Sequence, residues 1–420
     1  MKRSIFKKIG ALVLSAALAC SIGAVAGCGG NSEENDENNK VDNTGTKILV
    51  GVQQTRGNNY EAMCKFLDAL KPELNFTYDI QLMDRSDNNN VILLENAILK
   101  GVSGIITMTE MAASATQGII NLCEEEGVYY AGYMSDFWKT YSDDNLSGKK
   151  PKDSKYCLGA VSDGELDAET TATWLFKTVK ESPYRKIVLT RAPEYAYPSS
   201  VEASIVFKGL VDEYNKTAKD GDKFELWTKD VTKGAAYQID YGLPTSFAST
   251  VTEWQTWGGD DLALVGLNYC AGSIMGISSY NDKKFPIFNV GWDDDVAKEF
   301  GDLSDASKPV KALCQTPCET IIYPLVRMLN AINGTPFADE PTNPEDRIIE
   351  AKYCHINSTQ DITDGSTHCL NFNDARDLKY ALISPSEVKG LLAVNGGTFQ
   401  QLKDTIAQWD TEYILRREIK

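Results

Sequence analysis

The chain has 420 residues, a net charge of −17 and 42% hydrophobic residues. So acidic a balance argues against a nucleic-acid binder, whose affinity rests on basic groups that displace counterions. A chain this long exceeds what one core usually organises, and two lobes are expected.

Residues 1–8, MKRSIFKK, carry four positive charges and no acid, and an apolar stretch, IGALVLSAALACSIGAVAG, follows. A charged start, an apolar middle and small residues before a cut mark a secretion signal over 1–27. Val25-Ala26-Gly27-Cys28 resembles the bacterial lipoprotein box, which implies diacylglycerol on the Cys28 sulfur and cleavage just before it. Cys20, after Leu18-Ala19, is a weaker match. The alternative is an uncleaved membrane anchor, and the flanks fit a signal better. Residues 28–46 are small, polar and acidic after the Cys, and read as a disordered tether reaching at most about 60 Å. Loss of Lys2, Arg3, Lys7 and Lys8 takes the net charge from −17 to −21. No other stretch is long and apolar enough to span a bilayer. The rest is expected to be exported and held by its lipid at the outer face of the bacterial cytoplasmic membrane, or in the periplasm or at the outer membrane of a Gram-negative cell.

Ile48, Leu49, Val50 and Val52 form a nearly continuous apolar run, which predicts a strand buried on both faces. A polar loop over Gln53–Tyr60 and a helix follow, with Met63, Phe66, Leu67 and Leu70 at helical spacing. Strand and helix then alternate. FTYDIQLMD (76–84), GIITM (104–108), VYYAGYM (128–134) and CLGAVSD (157–163) are predicted strands. The pattern restarts with KIVLTRAPE (186–194), FELWTKDVT (224–232), LALVGLN (262–268), PIFNVGWD (286–293) and VKALCQ (310–315). Residues 235–258 resist assignment, because Gly242-Leu243-Pro244 breaks any helix. RIIEAKYCHI is read as one late strand. Thr398-Phe399-Gln400-Gln401 fits a capping box, and Phe399, Leu402, Ile406, Trp409 and Tyr413 mark one apolar helix face packed on a lobe. The class is therefore α/β, two doubly wound parallel-sheet lobes, with ligand crevices at the carboxyl ends of the strands.

Four segments in this order, DRSDNNNVILLENAILKGVSGIITM, LVGLNYCAGSIMG, FPIFNVGWDDD and VKALCQTPCETIIYPLVRMLNAING, resemble the type I periplasmic binding proteins. The resemblance covers roughly residues 47–357 and is nearest to the ribose/galactose/xylose-like sugar-binding lipoproteins of ABC importers. It implies a three-segment hinge between the lobes. The expected division is 47–162 plus 316–357 for the N-terminal lobe and 163–315 plus about 358–380 for the C-terminal lobe. A helical extension, 381–420, is left unassigned to a lobe. The resemblance also implies a sugar or sugar-like ligand closed between the lobes, and delivery to a permease and its ATPase by a monomer.

Carried over by position, Asn268, Asp293 and Gln315 match polar sugar contacts, and Tyr60 matches a ring that stacks on the sugar. Asn58 and Asn59 are placed to bond hydroxyls. Asp136, Phe137 and Trp138 stand where the family often has Asp-Arg. The helix after strand 186–194 lacks the Arg that pentose binders often carry near its start, and Arg191 and Glu194, at the preceding strand end, are placed to substitute for it. Tyr195 and Trp292 add rings at the same edge, so the pocket reads as more aromatic than a simple pentose site. Asp294, the residue after Asp293, is expected to cap the next helix.

A nucleoside-binding lipoprotein is the nearest rival, because rings also stack on bases. A sensor feeding a membrane kinase or chemoreceptor uses the same cleft. Catalysis is not expected: GxSxG, HExxH and a GxGxxG after the first strand are all absent, and there are only two histidines. No cofactor is expected. For Cys354-His355 and His368-Cys369 a metal site, a 354–369 disulfide and free thiols all stay open, although the spacing matches no strong zinc pattern.

Overall fold

Apolar runs too uniform to leave one face wet become central strands of two sheets. In β1 (Lys47–Val52), Ile48, Val50 and Val52 pack on one side and Leu49 on the other, and all four are buried. The computed structural model describes residues 45–55, 57–83, 89–108, 113–135, 148–162, 167–192, 198–228, 231, 237–238 and 248–419.

The first sheet uses β1, β2 (Thr77–Leu82), β3 (Gly104–Thr107), β4 (Tyr129–Tyr133) and β5 (Cys157–Val161). Helices α1 (Asn58–Leu74), α2 (Asn89–Leu99) and α3 (Ala113–Glu126) connect the first four of these strands. β12 (Ile348–Ile349) returns late to give the order β12-β5-β4-β3-β1-β2, all parallel. The second sheet follows α4 (Ala168–Glu181) and has the order β13-β11-β10-β9-β6-β7, with β8 (Tyr237–Gln238) also on β6. Its strands are β6 (Lys186–Arg191), β7 (Glu225–Leu226), β9 (Leu262–Leu267), β10 (Ile287–Asn289), β11 (Val310–Gln315) and β13 (Cys354–Ile356). Its helices include α5 (Pro198–Thr217), α6 (Ala248–Gly258) and the short α7 (Asp294–Ala297). Only β13 runs antiparallel, with Gln315 opposite Cys354.

Two expected boundaries move. The helix after β1 starts at Asn58, so the polar loop is shorter than Gln53–Tyr60. Gly57, at φ 91°, makes the turn, a backbone state that costs a side-chain-bearing residue dearly. RIIEAKYCHI is not one strand. Its start is β12 in the first sheet and its end is β13 in the second, so the chain crosses between sheets over 350–353, before the boundary expected at 357.

The C-terminal region serves both lobes. After α8 (Ile322–Ile332) and β13 come α9 (Thr359–His368), α10 (Pro385–Gly390), α11 (Phe399–Ala407) and α12 (Thr411–Arg416). α9 and α12 pack by β13, whereas α10 packs on α1 and α11 on α8. The predicted capping box forms: Gln401 N–H donates to Thr398 Oγ1, and Thr398 N–H to Gln401 Oε1, each at 3.1 Å. The single helix face foreseen from Phe399 to Tyr413 is broken between α11 and α12. Phe399, Leu402, Ile406 and Trp409 are nonetheless all buried. They join one apolar cluster that includes Phe66 of α1 and Trp292 after β10. The sheets and this region make one compact unit.

Among the described residues eight cysteines are free thiols, Cys354 and Cys369 included, and of these only Cys64 is not fully buried. Unfolded without reductant, the segment 45–419 should therefore titrate eight thiols. In the folded chain Cys64 should react first. A count of six on unfolding would mean a disulfide and would contradict this arrangement.

Candidate functional site

A chain leaving a sheet gives up its ladder bonds, and its buried N–H and C=O groups need other partners. Residues 316–318 make such a crossing between β11 and α8. Asn371, fully buried, supplies the partners: its Oδ1 accepts from Cys318 N–H at 2.9 Å, and its Nδ2 donates to the Thr316 carbonyl at 3.3 Å. Tyr133, at the end of β4, donates its hydroxyl to the Cys318 carbonyl at 3.0 Å. The same Asn371 amide reaches Asn59 Oδ1 in the first turn of α1 at 3.5 Å. Phe372 lies with its ring centroid 4.6 Å from that of Trp292, which follows β10. The carboxyl ends of β1 and β10, one from each sheet, thus meet at residues 371–372.

Asn59 also donates to Met134 Sδ at 3.4 Å, just past β4. Gln315 is buried at the end of β11, next to the crossing. Asn268 is buried after β9, 3.4 Å from Thr190 Oγ1, and its turn is held by Asn289 Oδ1, which accepts from Cys270 and Ala271 N–H. Gly291, at φ 94°, has the Tyr269 ring against it where a Cβ would stand. That close approach lets the chain turn after β10 and set Trp292 and Asp293.

Several expected roles change. Asp293, not Asp294, caps α7: its Oδ1 accepts from Asp295 N–H at 2.8 Å and Val296 N–H at 3.4 Å. Asp294 instead accepts from Trp292 Nε1 at 3.1 Å and pairs with Arg376 at 2.8 Å. The Trp292 ring is nearly buried and packs on Phe372. Tyr60 lies half-buried on α1 with its hydroxyl on the Cys64 side chain one turn on, and burial, aided by that bond, pushes the phenol up to about 12. Arg191 is turned into its own lobe, with Nη1 donating to Ser204 Oγ at 3.2 Å and the Val231 carbonyl at 2.9 Å. Asp136, Phe137, Trp138, Glu194, Tyr195 and Cys28 lie outside the described residues, and only the backbone of Asn58 is described. Asn371, Phe372 and Arg376 were not foreseen. In CLNFNDARD no periodicity or motif separates them from an ordinary polar loop.

No protein-family model matches the chain, and no curated protein matches it. Solved structures do. A Burkholderia graminis ABC-transporter solute-binding protein in complex with D-arabinose aligns at TM-score 0.54 and 11% identity, over 77% of this chain and 98% of that one. A Thermotoga lettingae 5-methylthioribose transporter solute-binding protein, in complex with 5-methylthioribose, aligns at 0.53 and 10%, over 87% and 98%. An ABC sugar transporter subunit from Rhodobacter sphaeroides aligns at 0.53 and 10%, over 75% and 99%. The fold is that of the type I periplasmic binding proteins. Asn59 and Asp293 follow the carboxyl ends of β1 and β10, and Asn268 and Gln315 stand at those of β9 and β11, the edge at which an open parallel sheet has its crevice.

Glu319, one residue past the crossing, is fully buried and accepts from Leu382 N–H at 3.1 Å. Burial pushes its carboxyl up from the ordinary value, against the pull of its hydrogen bonds. The folded chain then holds a proton that the unfolded chain loses at lower pH. This group's stabilisation is full below about pH 4.5 and declines as pH rises through the raised value. Glu319→Gln, which mimics the protonated acid, should gain urea midpoint relative to the parent between pH 4 and pH 8. A constant difference across that range would contradict the assignment. Asp293→Ala should cost about 1 kcal/mol as a lost cap. Asp294→Ala should cost more, because it strands a buried Arg376. Urea unfolding of the two variants checks the order.

Proposed function

We propose that the protein is an extracytoplasmic solute-binding lipoprotein, anchored through Cys28, that captures a sugar or sugar-like ligand between its lobes and passes it to an ABC permease and its ATPase. One observation carries this reading. Among the described residues, the buried hydroxyls of Ser135, Ser199 and Thr228 have no hydrogen-bond partner. Ser135 lies just past β4, Ser199 at the start of α5 after β6, and Thr228 just past β7, so the three belong to the carboxyl edges of both sheets. An unpaired buried hydroxyl costs roughly 1–3 kcal/mol, which a hydroxyl-rich ligand returns by pairing it. The amides of Asn59, Asn268 and Gln315 at the same edges suit such a ligand, because they both donate and accept. The neighbours' printed ligands, D-arabinose and 5-methylthioribose, are of this kind. Among the described residues no helix is long and apolar enough to cross a membrane, in keeping with a lipid as the anchor.

A thermal-shift screen over sugars, polyols and nucleosides tests the reading. A sugar or polyol should raise the melting temperature. Thr228→Val removes the orphan hydroxyl at nearly constant volume. It should leave the ligand-free melting temperature unchanged or higher, yet weaken the best hit about 5- to 30-fold. A response to nucleosides alone would replace the sugar with a nucleoside. Unchanged affinity in Thr228→Val would remove this hydroxyl from the site.

A further inference from the structure

We propose that Arg376, supplied by the C-terminal region, is an electrostatic clasp across the hinge end of the cleft that biases the ligand-free lobes toward each other. Its side chain is buried, yet it reaches acids of both lobes. Nη2 lies 2.8 Å from Asp294 Oδ2, after β10 in the second lobe, and 4.0 Å from Glu61 Oε2, in the first turn of α1 in the first lobe. Nη1 donates to the Asn373 carbonyl, which fixes the guanidinium on its own turn. The backbone of Arg376 sits at φ 50°, a left-handed state that a residue with a side chain adopts only where its surroundings compel it. Asn371 and Phe372 hold the same turn against Asn59 and Trp292, so the segment is seated between the lobes.

The two ion pairs differ in kind. Asp294 is about one-third exposed and in hydrogen-bond contact, so it travels with Arg376. Glu61 is 58% exposed and 4.0 Å away, the geometry of a weak, salt-screened pair. The weak pair is the charged contact that Arg376 makes with the first lobe. A strong tie there would lock the hinge, whereas a weak one shifts the open-to-closed ratio by up to about fivefold and still lets the cleft open. The inference rests on the cleft described above but not on the identity of its ligand.

Small-angle scattering of the ligand-free mature protein, at low salt and at about 1 M salt, tests it. The parent should expand when salt screens the clasp. Glu61→Gln changes only an exposed side chain, so it keeps the fold. It should be expanded already at low salt and show no salt response. Arg376→Met should behave like Glu61→Gln, the double variant should add nothing to either, and Arg376→Lys should restore part of the compaction. If Glu61→Gln has the parent's radius of gyration and salt response, the clasp is overturned, even if the ligand screen succeeds. If the screen finds no ligand but these shifts occur, the clasp stands and the sugar reading fails.

Discussion

The structure depends on how a buried chain passes from one sheet to the other. Inside a strand, each backbone group is paired by its neighbours. At 316–318 that pairing ends among buried residues, and a side-chain amide takes over. Asn371 accepts from one residue of the crossing and donates to another, Tyr133 donates to the Cys318 carbonyl, and Thr320 to that of Pro317. An amide carries its donor and its acceptor on two separate atoms, whereas a hydroxyl has both on one oxygen and a carboxylate only accepts. The hinge is thereby tied to a segment far along the chain.

That dependence accounts for the C-terminal region. Phe399, Leu402, Ile406 and Trp409 bury against the first lobe, while α9 and α12 pack beside β13 of the second. The apolar contacts fix where the segment runs, and its polar residues then fall at the hinge: Asn371 at the crossing, Leu382 N–H on Glu319, Arg376 between Asp294 and Glu61. Burial supplies most of the energy, as it does in any core of this size. The polar contacts supply direction, because each is satisfied in only one arrangement.

The site follows the same division. The places of Asn268 and Gln315 at strand ends are legible because they end apolar runs. The cap falls on Asp293 and not on Asp294, because two acids in a row before a short helix look alike until the backbone turn at Gly291 is known. Arg191 looked like a ligand group from its place at a strand end, but strand alternation turns it into the lobe toward α5. Trp292 looked like an open stacking ring, and Phe372 covers it.

What the sequence by itself determined was local and periodic. Continuous apolar runs require strands buried on both faces, and their alternation with amphipathic helices leaves a parallel α/β arrangement as the consistent outcome. The caps at Thr398 and the apolar face from Phe399 to Trp409 are likewise written in residue spacing. Only the tertiary structure decided that RIIEAKYCHI is shared between two sheets, that Asn371 satisfies a crossing 53 residues earlier, and that Arg376 stands between acids of both lobes. Periodicity reports which face of an element is apolar. It carries no record of which distant polar group meets a broken ladder, because that partner is chosen by the packing of whole elements and not by spacing along the chain.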